Sequence, residues 1–230
     1  MAIGIVGTPQ NISTSLAGEN PAGFSVTVET GCNAAVWQWA QWPSVDAGGF
    51  SSVTLNGLTP DDQDFIQQSV GDESAAGVHV WYDPTVGSMT LDLAWTNAPV
   101  EGAASYFTCL QEVDTGLGAI AIDTAQAAGS ATATVTLTGL TAGDFLLGFG
   151  EANGAVPDTS SGWSSVATNS NNSMFGRLQT LTADGSSEDL AVTSASSTYP
   201  TGSAVALREE SGEPPGPGPA LRQTISPLRW

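Results

Sequence analysis

The sequence predicts an all-β protein, a single antiparallel β-sandwich of jelly-roll type followed by an extended Pro/Gly-rich segment. Three observations predict it. Apolar residues recur with a period of two, as in half-buried strands. Gly, Pro, Asn and Asp break these runs at short intervals. No helical stretch of βαβ length alternates with them. The chain has 230 residues, 40% of them hydrophobic, a length that sandwiches and barrels reach as one unit.

The strands follow in order. Phe24-Ser-Val-Thr-Val-Glu29 alternates cleanly, as does Val36-Trp-Gln-Trp-Ala-Gln-Trp42, which sets Val36 opposite Trp37 and Trp39. Gly77-Val-His-Val-Trp-Tyr-Asp83 ends at Asp-Pro, a turn signal, and Ser88–Trp95 stops at Thr-Asn-Ala-Pro. Ser105–Val113, Ala131–Thr138, Asp144–Gly150, Met174–Leu181, a weaker Leu190–Thr193 and Ser203–Arg208 complete the set. Pro60-Asp-Asp-Gln-Asp-Phe-Ile-Gln-Gln68 is the one place for a helical turn, its carboxylates early as the helix dipole prefers. The residues display no internal repeat.

Composition changes after the last strand. The expected organisation is a sandwich over 1–208, a Pro/Gly-rich spacer over 209–219 and an anchor peptide over 220–230. The spacer, Glu209-Glu-Ser-Gly-Glu-Pro-Pro-Gly-Pro-Gly-Pro219, suits neither a helix nor a central strand. The anchor carries Leu221, Arg222, Ile225, Leu228, Arg229 and Trp230, a density of apolar and cationic groups that disordered tails lack. These six residues are the expected partner-binding set.

Charge narrows the partners. Four arginines and no lysine stand against 23 Asp and Glu, a formal net charge of −19. Such a field repels nucleic acid and anionic membranes. A high-salt habitat and plain compositional drift account for it equally well. No 18-residue apolar stretch is long enough to span a membrane, and Met1–Pro9 lacks the basic n-region of a signal peptide. Export, if it occurs, is expected to depend on something else.

The inventory for chemistry is thin. His79 is the one histidine, with no nucleophile elbow or zinc motif around it, and is expected to sit half-exposed on a strand. Cys32 and Cys109 fit no metal spacing; they are expected as buried thiols, with pairing across strands in an oxidising medium as the alternative. Neither a cofactor nor a resident metal is expected. Among the carboxylate pairs (Asp72/Glu73, Glu188/Asp189 and Glu112/Asp114), the last has the best spacing for a glycosidase, one strand face at i, i+2. Asp61, Asp62 and Asp64 lie close enough for calcium but lack an EF-hand's glycine and closing glutamate, so a solvated loop is expected.

Seven tryptophans raise a further question. Trp81 and Trp95 are expected in the core. Trp37, Trp39 and Trp42 have two open readings, core filling or a platform on which sugars stack. An immunoglobulin domain is set aside, because Tyr106 stands three residues before Cys109 and no Trp has the expected spacing.

The middle of the chain resembles a family of β-sandwich domains found in tailed-bacteriophage virion proteins and in bacterial surface proteins. The resemblance rests on Val80-Trp-Tyr-Asp-Pro-Thr-Val-Gly-Ser-Met-Thr-Leu-Asp-Leu93 and Thr108-Cys-Leu-Gln-Glu-Val-Asp114. It continues in Gly143-Asp-Phe-Leu-Leu-Gly-Phe-Gly150, Gly162-Trp163 and Ala204-Val-Ala-Leu-Arg208, spanning roughly residues 5–208. It implies a non-enzymatic virion structural protein, made in a host cytoplasm and exposed on the particle. Implied partners are capsid or tail subunits, other copies of itself and a host-surface glycan. No catalytic residue transfers with it.

Overall fold

Alternation produces the strands and decides which faces they bury. In Thr132–Thr138, every second residue is a β-favouring threonine facing solvent, while Ala133, Val135 and Leu137 point inward. A computed structural model of the protein describes residues 3–12, 22–41, 50–65, 75–95, 103–112, 119–128, 132–171, 174–194 and 200–209. No helix occurs among them. The strands are β1 (Ile3–Asn11), β2 (Ala22–Val28), β3 (Ala34–Gln41), β4 (Phe50–Leu55), β5 (Asp62–Phe65), β6 (Ala75–Tyr82), β7 (Gly87–Trp95), β8 (Ala103–Glu112), β9 (Ala119–Ala128), β10 (Thr132–Thr138), β11 (Phe145–Asn153), β12 (Ser164–Asn171), β13 (Met174–Thr182), β14 (Ser187–Thr193) and β15 (Thr201–Glu209). Each of the ten strands expected from the sequence is present. The helical turn expected over 60–68 is corrected: Asp62–Phe65 pairs with β6 as a short edge strand.

The strands form four antiparallel sheets, in the orders β2-β7-β4, β1-β8-β3-β6-β5, β12-β13-β11-β15-β9 and β10-β14. Three apolar clusters separate them, so the sheets are stacked in that sequence as four layers. The first cluster joins the outer β2-β7-β4 sheet to one face of the second sheet through Val26, Leu91, Leu93, Trp37, Trp39 and Phe107. The middle cluster lies between the two five-stranded sheets and holds Val36, Val78, Tyr106, Leu147, Phe149 and Val205. The last holds Val135, Leu190, Val192, Leu146 and Trp163, between the third sheet and β10-β14.

The jelly-roll order expected of one sandwich occurs twice. In residues 3–112, β1 pairs with β8, β2 with β7 and β3 with β6, with β3 also beside β8 and β5 beside β6. In residues 119–209, β9 pairs with β15, β10 with β14 and β11 with β13, with β11 beside β15 and β12 beside β13. The sole difference is β4, which extends its small sheet next to β7. At that place the second half has the irregular segment 154–163, and it occupies the exposed edge of β14. The Asp158 amide donates to Thr193 O at 2.8 Å, the Ala191 amide to Ser160 Oγ at 3.0 Å, and the Trp163 indole to Asp189 O at 2.9 Å. An otherwise open edge is thereby satisfied without a strand. The expectation of no internal repeat is corrected, because the repeat lies in the pairing order and not in the residues.

Across the middle cluster the two five-stranded sheets run in opposite order. β3 faces β11 and β15, β6 faces β15 and β9, and β8 faces β13 and β12. A twofold axis through the crossing of β3 and β11 would produce that arrangement. Polar links cross the same layer: Gln38 Nε2 donates to Leu147 O and Ser203 O, both at 3.1 Å, and Asn169 Nδ2 donates to Asn11 Oδ1 at 3.0 Å. On its other face the third sheet carries Gly148 and Gly150, where an added Cβ would come within 2.8 Å of Leu190 or Val192. These glycines let the small β10-β14 sheet approach closely. The last strand reaches Glu209, and residues 210–230, with most of the spacer and all of the anchor, lie outside the described residues.

Since each half exposes one apolar face to the other, the halves are expected to need each other. Residues 1–112 and 119–230 produced as separate chains in one cell should co-purify as a one-to-one complex, and each alone should aggregate. Size-exclusion chromatography of the three preparations checks this.

Candidate functional site

The cross-strand row through the middle of the second sheet places Phe107, Trp37, His79 and Gln63 side by side on β8, β3, β6 and β5. Their face lies under the outer β2-β7-β4 sheet, which fixes what the aromatic groups do. Trp37 and Trp39 are 2% and 1% exposed and belong to the first apolar cluster. Their rings stack with centroids 6.0 Å apart, and Trp37 stacks on the His79 imidazole at 5.2 Å. The sugar-platform reading of these two tryptophans is corrected: a third layer covers the face that alternation alone left open. Trp42 lies outside the described residues. Trp81 is in the core as expected, its indole donating to Leu58 O at 3.0 Å; the side chain of Trp95 lies outside the described residues.

His79 is 1% exposed, not half-exposed as expected. The Trp39 indole donates to its Nε2 at 3.1 Å, so Nε2 holds the lone pair and the proton sits on Nδ1, facing Gln63 Oε1 at 3.1 Å. Burial lowers its pKa from 6.5 to about 3, which keeps the ring neutral. A lone pair already occupied by an indole N–H is poorly placed to accept a proton from a substrate.

Four of the carboxylates the sequence singled out are fastened to neighbouring strands and turns. Asp61 Oδ2 accepts the Tyr82 amide at 2.8 Å, and Asp62 Oδ2 accepts the Tyr82 hydroxyl at 2.5 Å. A solvated loop at Asp61–Asp64 is thus replaced by a strand end fastened to β6. Glu188 accepts the Asp184 amide at 3.2 Å while Asp189 accepts the Thr136 hydroxyl at 2.7 Å. Adjacent on β14, they point to opposite faces. Glu112 ends β8, its side chain and Asp114 lie outside the described residues, and so do Asp72 and Glu73. Among the described residues, no group of three or more His, Cys, Asp or Glu side chains is arranged to hold a metal ion.

Two carboxylates that sequence reasoning did not single out carry the strongest electrostatics. Asp144, 3% exposed, is gripped by Arg208 through Nε at 2.8 Å and Nη2 at 2.6 Å and also accepts the Thr141 amide at 2.8 Å. Burial alone would raise its pKa; the Arg208 and Thr141 hydrogen bonds outweigh that and hold it below the usual value. This pair ties the end of β15 to the β10–β11 turn and is the one ion pair among the described residues.

Glu151, fully buried, stands on the same face of β11 as Leu147 and Phe149, so it points into the layer between the five-stranded sheets. Neither of its carboxyl oxygens has a hydrogen-bond partner among the described residues. Burial raises its pKa well above 4.5, favouring the protonated acid. The only sequence signal is a carboxylate in the otherwise apolar run Phe145–Ala152.

No protein-family model matches the chain, and neither does any curated protein or solved structure.

Burial shifts His79 and Glu151 in opposite senses. His79, with a folded pKa below its unfolded value, supports the fold fully above about pH 6.5, and that support is lost as pH falls towards about 3. Glu151, with a raised folded pKa, supports the fold fully below about pH 4.5, and that support is lost as pH rises. Glu151→Gln mimics the protonated acid. Above about pH 4.5 the wild type should lose stability relative to this variant by up to about 1.4 kcal/mol per pH unit, until Glu151 ionises in the fold. Urea titrations of both proteins from pH 4 to 9 check this.

With one ion pair among the described residues, a net charge of −19 leaves self-repulsion that salt can screen. The melting temperature is expected to rise steadily as sodium chloride increases from about 0.05 M to about 2 M, where only short-range screening is left. Differential scanning calorimetry reads it directly.

Proposed function

We propose that the protein is a non-enzymatic structural component of a bacteriophage virion, a capsid decoration or head-fibre protein displayed on the particle and docked through residues 220–230. The observation that carries this reading is the doubled jelly-roll order, an architecture shared by viral capsid domains. Three further features support it. The outer faces are polar, with Ser25, Thr27, Ser88 and Thr90 on one side and Thr132, Thr134, Thr136 and Thr138 on the other, which suits lasting exposure. The buried polar side chains His79, Gln38, Asn169 and Asp144 are engaged in holding strands, layers and turns together. The resemblance to virion sandwich domains runs through β6–β8 and β11–β15.

The anchor carries two of the four arginines and no carboxylate side chain, on a chain that is otherwise strongly acidic. Leu221, Ile225, Leu228 and Trp230 would supply the apolar contacts, and Arg222 and Arg229 the attraction to an acidic neighbour. That neighbour is a capsid or tail subunit or another copy of this chain. Jelly rolls also serve as lectins, but with Trp37 and Trp39 inside the core, a host-glycan site would have to be built from other residues.

Light scattering and co-sedimentation of the full chain, and of a version ending at Glu210, with purified particles or capsomers test the reading. The full chain is expected to bind and the truncated form to lose at least tenfold in affinity while keeping its melting temperature. Equal binding by both forms overturns the anchor, and binding by neither overturns the virion assignment.

A further inference from the structure

The crossover from β2 to β3 carries the chain from the outer sheet to the second sheet, and both cysteines sit against it. Cys32 lies in the turn just before β3, its amide donating to Glu29 O at 3.1 Å and its thiol to Ala34 O at 3.3 Å. Cys109 lies on β8 between Val6 and Ala35 of its neighbours, its thiol reaching Thr27 O of β2 at 3.7 Å. The amide of Asn33, next to Cys32, donates to Leu110 O, next to Cys109, at 2.8 Å, which makes the two cysteines close neighbours. Both side chains are buried in the first apolar cluster, at 6% and 3% exposure.

We propose that Cys32 and Cys109 are a disulfide-forming pair, closed by a peroxide into a covalent clasp between the β2–β3 crossover and β8. Their mutual influence divides the work between the sulfurs. The neighbouring Cys32 lowers the pKa of Cys109, while Cys109 and burial push Cys32 well above the ordinary thiol range. The Cys109 thiolate attacks one oxygen of hydrogen peroxide, the O–O bond breaks, and the departing hydroxide takes a proton to leave as water. The sulfur of Cys32 then attacks the sulfenic sulfur, the S–O bond breaks and a second water leaves. Two thiols and one peroxide become one disulfide and two waters.

The clasp would close a loop between residues 32 and 109, which spans six of the eight strands of the first half (β3–β8). Long loops lose the most unfolded-state entropy when cross-linked. The thiols remain free while the protein is in a reducing compartment, and the clasp forms when it meets an oxidising one.

The full chain, reduced and then treated with stoichiometric hydrogen peroxide, tests this. The expected result is loss of two hydrogens in intact mass with the protein still monomeric, and a cross-linked peptide holding Cys32 and Cys109. The melting temperature should rise on the order of 10 °C and return on reduction. Cys32→Ser and Cys109→Ser should each abolish the rise. The wild-type mass and peptide map need no variant to fold. Gain of oxygen without loss of hydrogen, disulfide-linked dimers, or a clasped form that melts lower than the reduced one would each overturn the proposal.

Discussion

The face-to-face burial of the two five-stranded sheets is the constraint on which the rest of this molecule depends. A sandwich normally keeps one face of each sheet for water; here each central sheet has another sheet on both sides. β3 therefore presents Val36 and Gln38 to one layer and Trp37 and Trp39 to another, and β11 divides Leu147 and Phe149 from Leu146 in the same way. Fourteen buried apolar side chains fill the middle layer. At roughly 1.5–3 kcal/mol for each large one, their burial outweighs the several kcal/mol that one unpartnered carboxyl costs there. Glu151 is tolerated because the layer is strong, and its burial there favours the protonated acid.

The same constraint explains what could be read from the residues and what could not. The ten strands found by alternation include all the inner strands of the sheets. The five that escaped, β1, β4, β5, β9 and β12, are all edge strands. An edge strand is solvated along one side and carries residues that blunt further pairing, so its alternation is weak. β5 is Asp-Gln-Asp-Phe and mimics the start of a helix; β12 is nearly all small and polar; β9 is rich in alanine, a poor strand former. β1 holds two Gly and a Pro and breaks register between Val6 and Gln10. β4 did have a signal, Asn56-Gly57. Both residues have positive φ and make a two-residue turn closed by the Leu55 and Leu58 amides.

The candidate groups were legible as chemistry but not as position. Alternation put Trp37 and Trp39 on one face and stopped there, because nothing local says that a further sheet covers it. The internal repeat was hidden for a related reason. What the halves share is which strand lies beside which, and the side chains filling the clusters differ: tryptophans in the first, glycines and alanines against Leu190 and Val192 in the last. Packing of equal quality can be reached with different residues when volumes are matched layer by layer.

The stacking also dictates where an outward function can reside. Four layers in series leave two outer faces, a set of edges and the connecting segments. The described outer faces are rows of serine, threonine and aspartate with few large apolar groups; Leu58, Val86 and Val166 are the exposed ones. The segment 154–163 spends Asp158, Ser160 and Trp163 on closing the β14 edge, so even an irregular stretch turns its polar groups inward. A body of this kind resists adhesion to itself and to anionic partners. The proposed division of labour follows from that physics, with a repellent, layered body carrying a short cationic and apolar anchor that does the docking.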